Sequence, residues 1–146
     1  MDTFWARAAL LVALIAVAVA VVLWRRRSDG RARAVTDGEQ VGAGDLGQPL
    51  GARATLLQFS APVCSPCRAA RRVLGEVAES VPEVKHVELD AGEHLALARR
   101  LGILRTPTVL VLDGVGQVVA RTSGVPTRAQ VMQALHLADS TTELAA

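Results

Sequence analysis

Cys64-Ser65-Pro66-Cys67 stands where one hydrophobic period ends and another begins, and this junction constrains the chain more than any other feature. Ahead of it, Ala54 to Ser60 is a short, mostly apolar run bounded by turn residues, the pattern of a buried strand. Behind it, Ala70, Val73, Leu74, Val77, Ala78 and Val81 recur at helical spacing, with Arg68, Arg71, Arg72, Glu76 and Glu79 off that stripe. The cysteines therefore sit at the turn from a strand into an amphipathic helix.

The alternation continues. Val84 to Leu89 reads as a second strand with Val87 and Leu89 on one face and His86 and Glu88 on the other. Glu93 to Leu101 reads as a short helix stopped by Gly102, with Arg99 and Arg100 in its last turn. Thr108 to Leu112 is the most apolar strand, and Gln117 to Thr122 returns beside it after the turn Asp113-Gly114-Val115-Gly116. Thr127 and Gln130 form a capping box that opens a helix through Val131, Leu135 and Ala138. Crossover helices between consecutive strands imply parallel pairing, and the tight turn implies an antiparallel pair. The expected fold is α/β, with a mixed central sheet flanked by helices on both faces.

The position of Cys64 at the tip of a helix gives its sulfur unpaired backbone N–H groups and the positive end of the dipole, both of which favour a thiolate. Pro66 has no N–H to lose and its fixed φ suits a first helical turn. Two intervening residues let the sulfurs close and reopen a ring, so the pair can exist as dithiol or disulfide. Zinc is disfavoured, because there is no second cysteine pair and His86, His94 and His136 do not follow finger spacing. An inert structural disulfide is the remaining bland reading.

Residues 54 to 138 resemble the thioredoxin family. The resemblance rests on Leu57-Gln58-Phe59 ahead of Cys64-Ser65-Pro66-Cys67, on Arg105-Thr106-Pro107-Thr108 before an apolar strand, and on Gly124 after the hairpin. It implies a thioredoxin-like fold and a thiol-disulfide oxidoreductase that works without a cofactor or metal. It also implies a cis Thr106-Pro107 bond facing the cysteines and holding an extended substrate backbone, although a proline at the first residue of a strand needs no function. The chain departs from the family pattern in three places. Val63 stands where a tryptophan is usual, Gln58 where an acid is buried, and His86 where a lysine is usual. Gln58 cannot act as a general base, which leaves His86 or water for proton transfer; a silent, hydrogen-bonded strand histidine is the alternative.

The N-terminal part has a different character. Every residue from Ala8 to Trp24 is apolar, and the stretch from Phe4 is interrupted only by Arg7, a length of about 31 Å as a helix. Trp5 and Trp24 fall at the two ends, where indoles favour the headgroup level. Arg25, Arg26, Arg27, Arg31 and Arg33 follow, and the positive-inside rule keeps that flank in the cytoplasm. Residues 1–24 are thus expected as a single-pass anchor, 25–44 as an arginine-rich flank and tether, 45–138 as the thioredoxin-like domain and 139–146 as a tail. A cleaved signal peptide is the competing reading, and the charge order opposes it.

Composition excludes several classes. Apolar residues make up 51% of the chain, so the signature of disorder is absent, and two cysteines cannot form a disulfide-dense scaffold. The basic excess lies in the short arginine tract and not on the fold, which argues against nucleic-acid binding. The expected activity is reduction of partner-protein disulfides at the membrane surface, with Cys64 attacking, Cys67 resolving and an unidentified electron donor restoring the dithiol. The alternatives are a non-catalytic docking module for a membrane partner and an extracytoplasmic thiol-disulfide exchanger. A copper carrier fits less well, since those pair a longer cysteine spacing with a distal histidine.

Overall fold

A computed structural model of the chain describes residues 2–28, 33–34 and 38–145. The elements in chain order are α1 (Asp2–Ser28), β1 (Arg33–Ala34), α2 (Ala43–Leu46), β2 (Ala54–Ser60), α3 (Ser65–Ser80), β3 (Val84–Asp90), α4 (Leu95–Arg100), β4 (Thr108–Asp113), β5 (Val118–Ser123) and α5 (Arg128–Ala145). The strands form one sheet in the order β1-β5-β4-β2-β3.

The apolar runs identified in the sequence occupy the middle of this sheet. Every residue of β2 and of β4 is buried, as expected for central strands covered on both faces. On one face α3 and α5 pack Leu74, Val77, Val131 and Leu135 against Leu56, Val109 and Val111. On the other, Leu97 and Leu101 pack with Leu57, Phe59, Leu110 and Leu112. A register shift at Val111/Leu112 gives β5 one extra residue, which places Val119 and Ala120 together on the α5 side while Val118 joins the opposite cluster. The α5 cap is the reciprocal one expected: Thr127 N–H donates to Gln130 Oε1 at 2.8 Å, and Gln130 N–H donates to Thr127 Oγ1 at 3.3 Å.

One of the expected pairings is corrected. β2 and β3 are parallel across α3, but β4 runs antiparallel to β2 and does not neighbour β3. The six residues of α4 rise about 9 Å, whereas β3 is about 23 Å long, so this helix does not carry the chain back to the start of the strand. Consequently Ser60, Asp90, Thr108 and Ser123 all lie at one end of the sheet, the end at which α3 begins.

The segment expected as a tether carries structure. Arg33 and Ala34 pair with Arg121 and Ala120, Gln40 bridges to Gln117, and Val41 is fully buried. Gly116, at φ +86, allows this docking: a Cβ there would fall 2.2 Å from the Val41 carbonyl oxygen. The expected tail is also helical, because α5 continues to Ala145, and Asp139 forms a two-pronged bond with Arg53 at 2.7 and 2.8 Å. In α1, the described side chains from Leu10 to Trp24 are exposed all round. Among the described residues no helix is long and apolar enough to cross a membrane.

Candidate active site

Cys64 and Cys67 are joined as a disulfide, with Cα atoms 5.2 Å apart. Cys64 is the N-cap of α3 in an extended conformation (φ −139, ψ 96), and Pro66 lies in the first turn. The Cys67 N–H donates to Cys64 Sγ at 3.2 Å. This is the bond a capping side chain ordinarily accepts, here made to sulfur, and in the reduced form it would favour a thiolate. Exposure separates the two sulfurs' residues: Cys64 is half-buried, whereas Cys67 is 2% exposed.

Thr106-Pro107 is a cis peptide bond at the start of β4. The loop is pinned from both sides, since Thr108 Oγ1 donates to the Arg105 carbonyl at 2.7 Å and Gly124 N–H donates to the Pro107 carbonyl at 2.8 Å. Ser65 and Pro66 from the α3 tip face Thr106, Pro107 and Val125 across an open groove of about 680 Å³. Val63, which precedes the first cysteine, is 100% exposed, and Leu104 is 96% exposed. The expected active-site motif and the expected proline loop thus form one concave surface.

Beneath Cys67 lies a polar network that sequence reasoning did not assemble. Parallel pairing sets Gln58 opposite Glu88 and Leu56 opposite His86. Gln58 is fully buried. Its amide nitrogen donates to Ser60 Oγ at 2.8 Å and to the Cys67 carbonyl at 3.0 Å, and it lies 3.3 Å from Glu88 Oε1. A carbonyl only accepts, so the amide can face Cys67 only with its nitrogen. Its oxygen then faces His86 Nε2 at 3.2 Å, and that ring nitrogen must carry the proton. Ser60 donates to Glu88, and Arg71 grips the same carboxylate with two bonds. One branch of the network ends on the Cys67 carbonyl and the other on Glu88.

The charges follow from these contacts. Burial pushes the His86 imidazole below its ordinary range, the Glu88 carboxylate opposes this, and Arg71 adds to the lowering. For Glu88, burial acts upward, but the bonds from Arg71 and Ser60 and the charges of Arg71 and His86 prevail and hold the carboxyl below its usual range. The expected proton-transfer residue, His86, faces the Gln58 oxygen through Nε2, and burial disfavours its charged form. Ser60, Glu88 and Arg71 were not singled out from the sequence; the one available signal was that Glu88 shares the face of His86, two residues away. Among the described residues no group of three or more metal-ligating side chains gathers.

The thioredoxin family model matches residues 48–136, more than half of the chain. The chain belongs to the thioredoxin family. A thioredoxin of Haemophilus influenzae is 36% identical over 77 residues, covering 52% of this chain and 71% of that protein. A thioredoxin of Methanocaldococcus jannaschii is 32% identical over 78 residues, covering 53% of this chain and 86% of that one. Among solved structures, chloroplastic thioredoxin z superposes with a TM-score of 0.57 at 27% identity, covering 74% of this chain and 99% of that chain. The redox-active Cys64-Ser65-Pro66-Cys67 motif makes this thioredoxin-family member a protein-disulfide oxidoreductase.

Proposed function

We propose that this thioredoxin-family protein reduces disulfides of partner proteins at a membrane surface, with Cys64 as the attacking sulfur and Cys67 as the resolving one. The observation that carries the assignment is the asymmetry at the α3 tip: Cys64 caps the helix, receives the Cys67 N–H and reaches solvent, while Cys67 is buried. The Cys64 thiolate attacks one sulfur of the partner's disulfide; that bond breaks as the mixed disulfide forms, and the partner's other sulfur leaves as a thiolate. Cys67, having given its proton to solvent, then attacks Cys64 Sγ. The ring closes and the partner leaves with two electrons, and a dithiol donor returns two electrons for the next cycle. The Thr106-Pro107 loop across the groove receives the partner's extended backbone.

The membrane part of the proposal rests on the sequence. Ala8 to Trp24 is uninterruptedly apolar, and the described side chains of α1 are exposed on every side, a surface that suits lipid better than water. The arginines after Trp24 support, by the positive-inside rule, a redox domain on the cytoplasmic face.

The activity is tested by reduction of insulin by the full chain in nonionic detergent. Cys64→Ser is expected to abolish turnover, and full activity in that variant would refute the assignment. The topology is tested by mild reduction of intact cells and treatment with a membrane-impermeant thiol reagent. Protection of both cysteines until lysis is expected, and labelling from outside would refute a cytoplasmic domain.

A further inference from the structure

The N-terminal segment meets the sheet near its redox end and runs away from it. Arg33 and Ala34 pair antiparallel with Arg121 and Ala120, and Gln40 bridges to Gln117. Val118 N–H donates to the Glu39 carbonyl at 2.9 Å and Val41 N–H to the Gly116 carbonyl at 2.8 Å, so residues 39–41 hold to the far turn. β5 ends at Ser123, opposite Thr108 and beside the proline loop, which puts Arg33 on the half of the strand nearer the disulfide. Arg121 and Gly124 are three residues apart, about 10 Å of strand, and Gly124 itself lines the groove with Ser65 and Pro66. Ser28, the last residue of α1, is five residue steps from Arg33, and a chain of that length spans at most about 18 Å. The end of α1 therefore lies no more than about 35 Å from Gly124.

We propose that the groove beside the disulfide is turned toward the membrane and that its substrates are disulfides in juxtamembrane segments of integral membrane proteins. The proposal rests on the membrane and reductase readings above and names the substrate class of that same site. With α1 in the bilayer, a chain that enters near the redox end hangs the domain with the α3 tip and the proline loop toward the headgroups and the turn from Asp113 to Gly116 away from them. Entry at the opposite end would add the length of β5, about 20 Å, between the bilayer and the groove. Val63 and Leu104, almost fully exposed at the redox end, are apolar side chains that suit the membrane boundary better than bulk water. Anchoring two proteins in one membrane raises their effective concentration only where the linkers let the two sites meet. A disulfide within a few residues of a membrane span meets that condition, and one carried far above the surface does not.

The test uses the full chain, reduced and reconstituted in vesicles of phosphatidylcholine and phosphatidylglycerol, with two disulfide-bonded peptides that share one transmembrane anchor. In one the disulfide follows the anchor directly, and in the other a helical spacer of about 60 Å separates them. Single-turnover reduction is followed by chromatography. On vesicles the near peptide is expected to react about tenfold faster than the far one, and the two are expected to react alike once everything is dissolved in nonionic detergent. Inserting a Gly/Ser linker of about 30 residues between Gly30 and Arg31, which adds about 30 Å of reach, is expected to remove most of the difference on vesicles. Equal rates for the wild type on vesicles, or a near preference undiminished by the insertion or by detergent, would overturn the inference and leave the reductase reading intact. Failure of the chain to float with the vesicles would overturn the membrane reading and this inference with it. Failure of the reduced chain to act on either peptide in detergent, when dithiothreitol reduces both, would overturn the reductase reading and this inference with it.

Discussion

Replacing Gln58 by glutamate would test the polarity of the network beneath Cys67 with almost no change of shape. The amide nitrogen there faces only acceptors: Ser60 Oγ, the Cys67 carbonyl and Glu88 Oε1. A carboxylate oxygen in its place would meet a carbonyl and a second carboxylate in a fully buried position. Two unit charges 3.3 Å apart repel by about 5 kcal/mol at an effective dielectric constant near 20. Arg71, already bonded to Glu88, offsets part of this and leaves about 3 kcal/mol. The introduced carboxyl therefore keeps its proton in the folded chain at pH values where the unfolded chain has lost it. The native state then binds more protons, so stability falls as pH rises. Urea unfolding of the oxidised chain, followed by circular dichroism and taken as a difference from wild type, reads this directly. Gln58→Glu is expected to lie within about 1 kcal/mol of wild type at pH 5 and about 3 kcal/mol below it at pH 8. A loss that does not vary with pH, or one under about 0.5 kcal/mol at pH 8, would refute the amide orientation.

Three further outcomes follow from other contacts. Asp139→Asn should cost about 0.5–1 kcal/mol at neutral pH, as for a half-exposed ion pair; the Arg53 bond holds the Asp139 carboxyl below its usual range, so this difference should vanish in acid as wild-type Asp139 protonates. Burial lowers the His86 pKa, so wild type should lose stability as pH falls through the ordinary histidine range, where the unfolded chain takes up the proton first; His86→Gln should remove that slope, and its persistence would show another group responsible. Gly116→Ala should cost about 3 kcal/mol or more, because a methyl group there meets the Val41 backbone at a positive φ, and a thermal shift of under a few degrees would contradict that fit.

The sequence disclosed what depends on local pattern. Contiguous apolar runs marked β2 and β4, helical spacing marked α3, and Thr127 with Gln130 marked the start of α5 two residues at most from where it begins. The cysteines and the proline loop were legible because each lies at an element boundary, where the backbone itself sets the chemistry. What was missed depends on partners distant in sequence. β1 has two residues and is defined by its pairing to β5, and the segment through Val41 and Leu46 shows single apolar anchors among glycines. The direction of β4 follows from where a six-residue helix leaves the chain, which periodicity does not report. Likewise Ser60, Glu88 and Arg71 become one network only when β2 and β3 pair in register and α3 crosses above them. The substitution of Gln58 for an acid was visible; that its amide ties the Cys67 backbone to an ion pair was not.

The central claim is that the α3 tip makes Cys64 the reactive sulfur and keeps Cys67 in reserve. It is tested most directly by alkylating the reduced full chain with iodoacetamide across pH 4 to 10 and measuring modification of each cysteine by peptide mass spectrometry. Cys64 is expected to react first, with a rate that rises at a pH below the ordinary thiol range, while Cys67 stays protected until Cys64 is consumed. Equal reactivity of the two, or earlier modification of Cys67, would contradict the account.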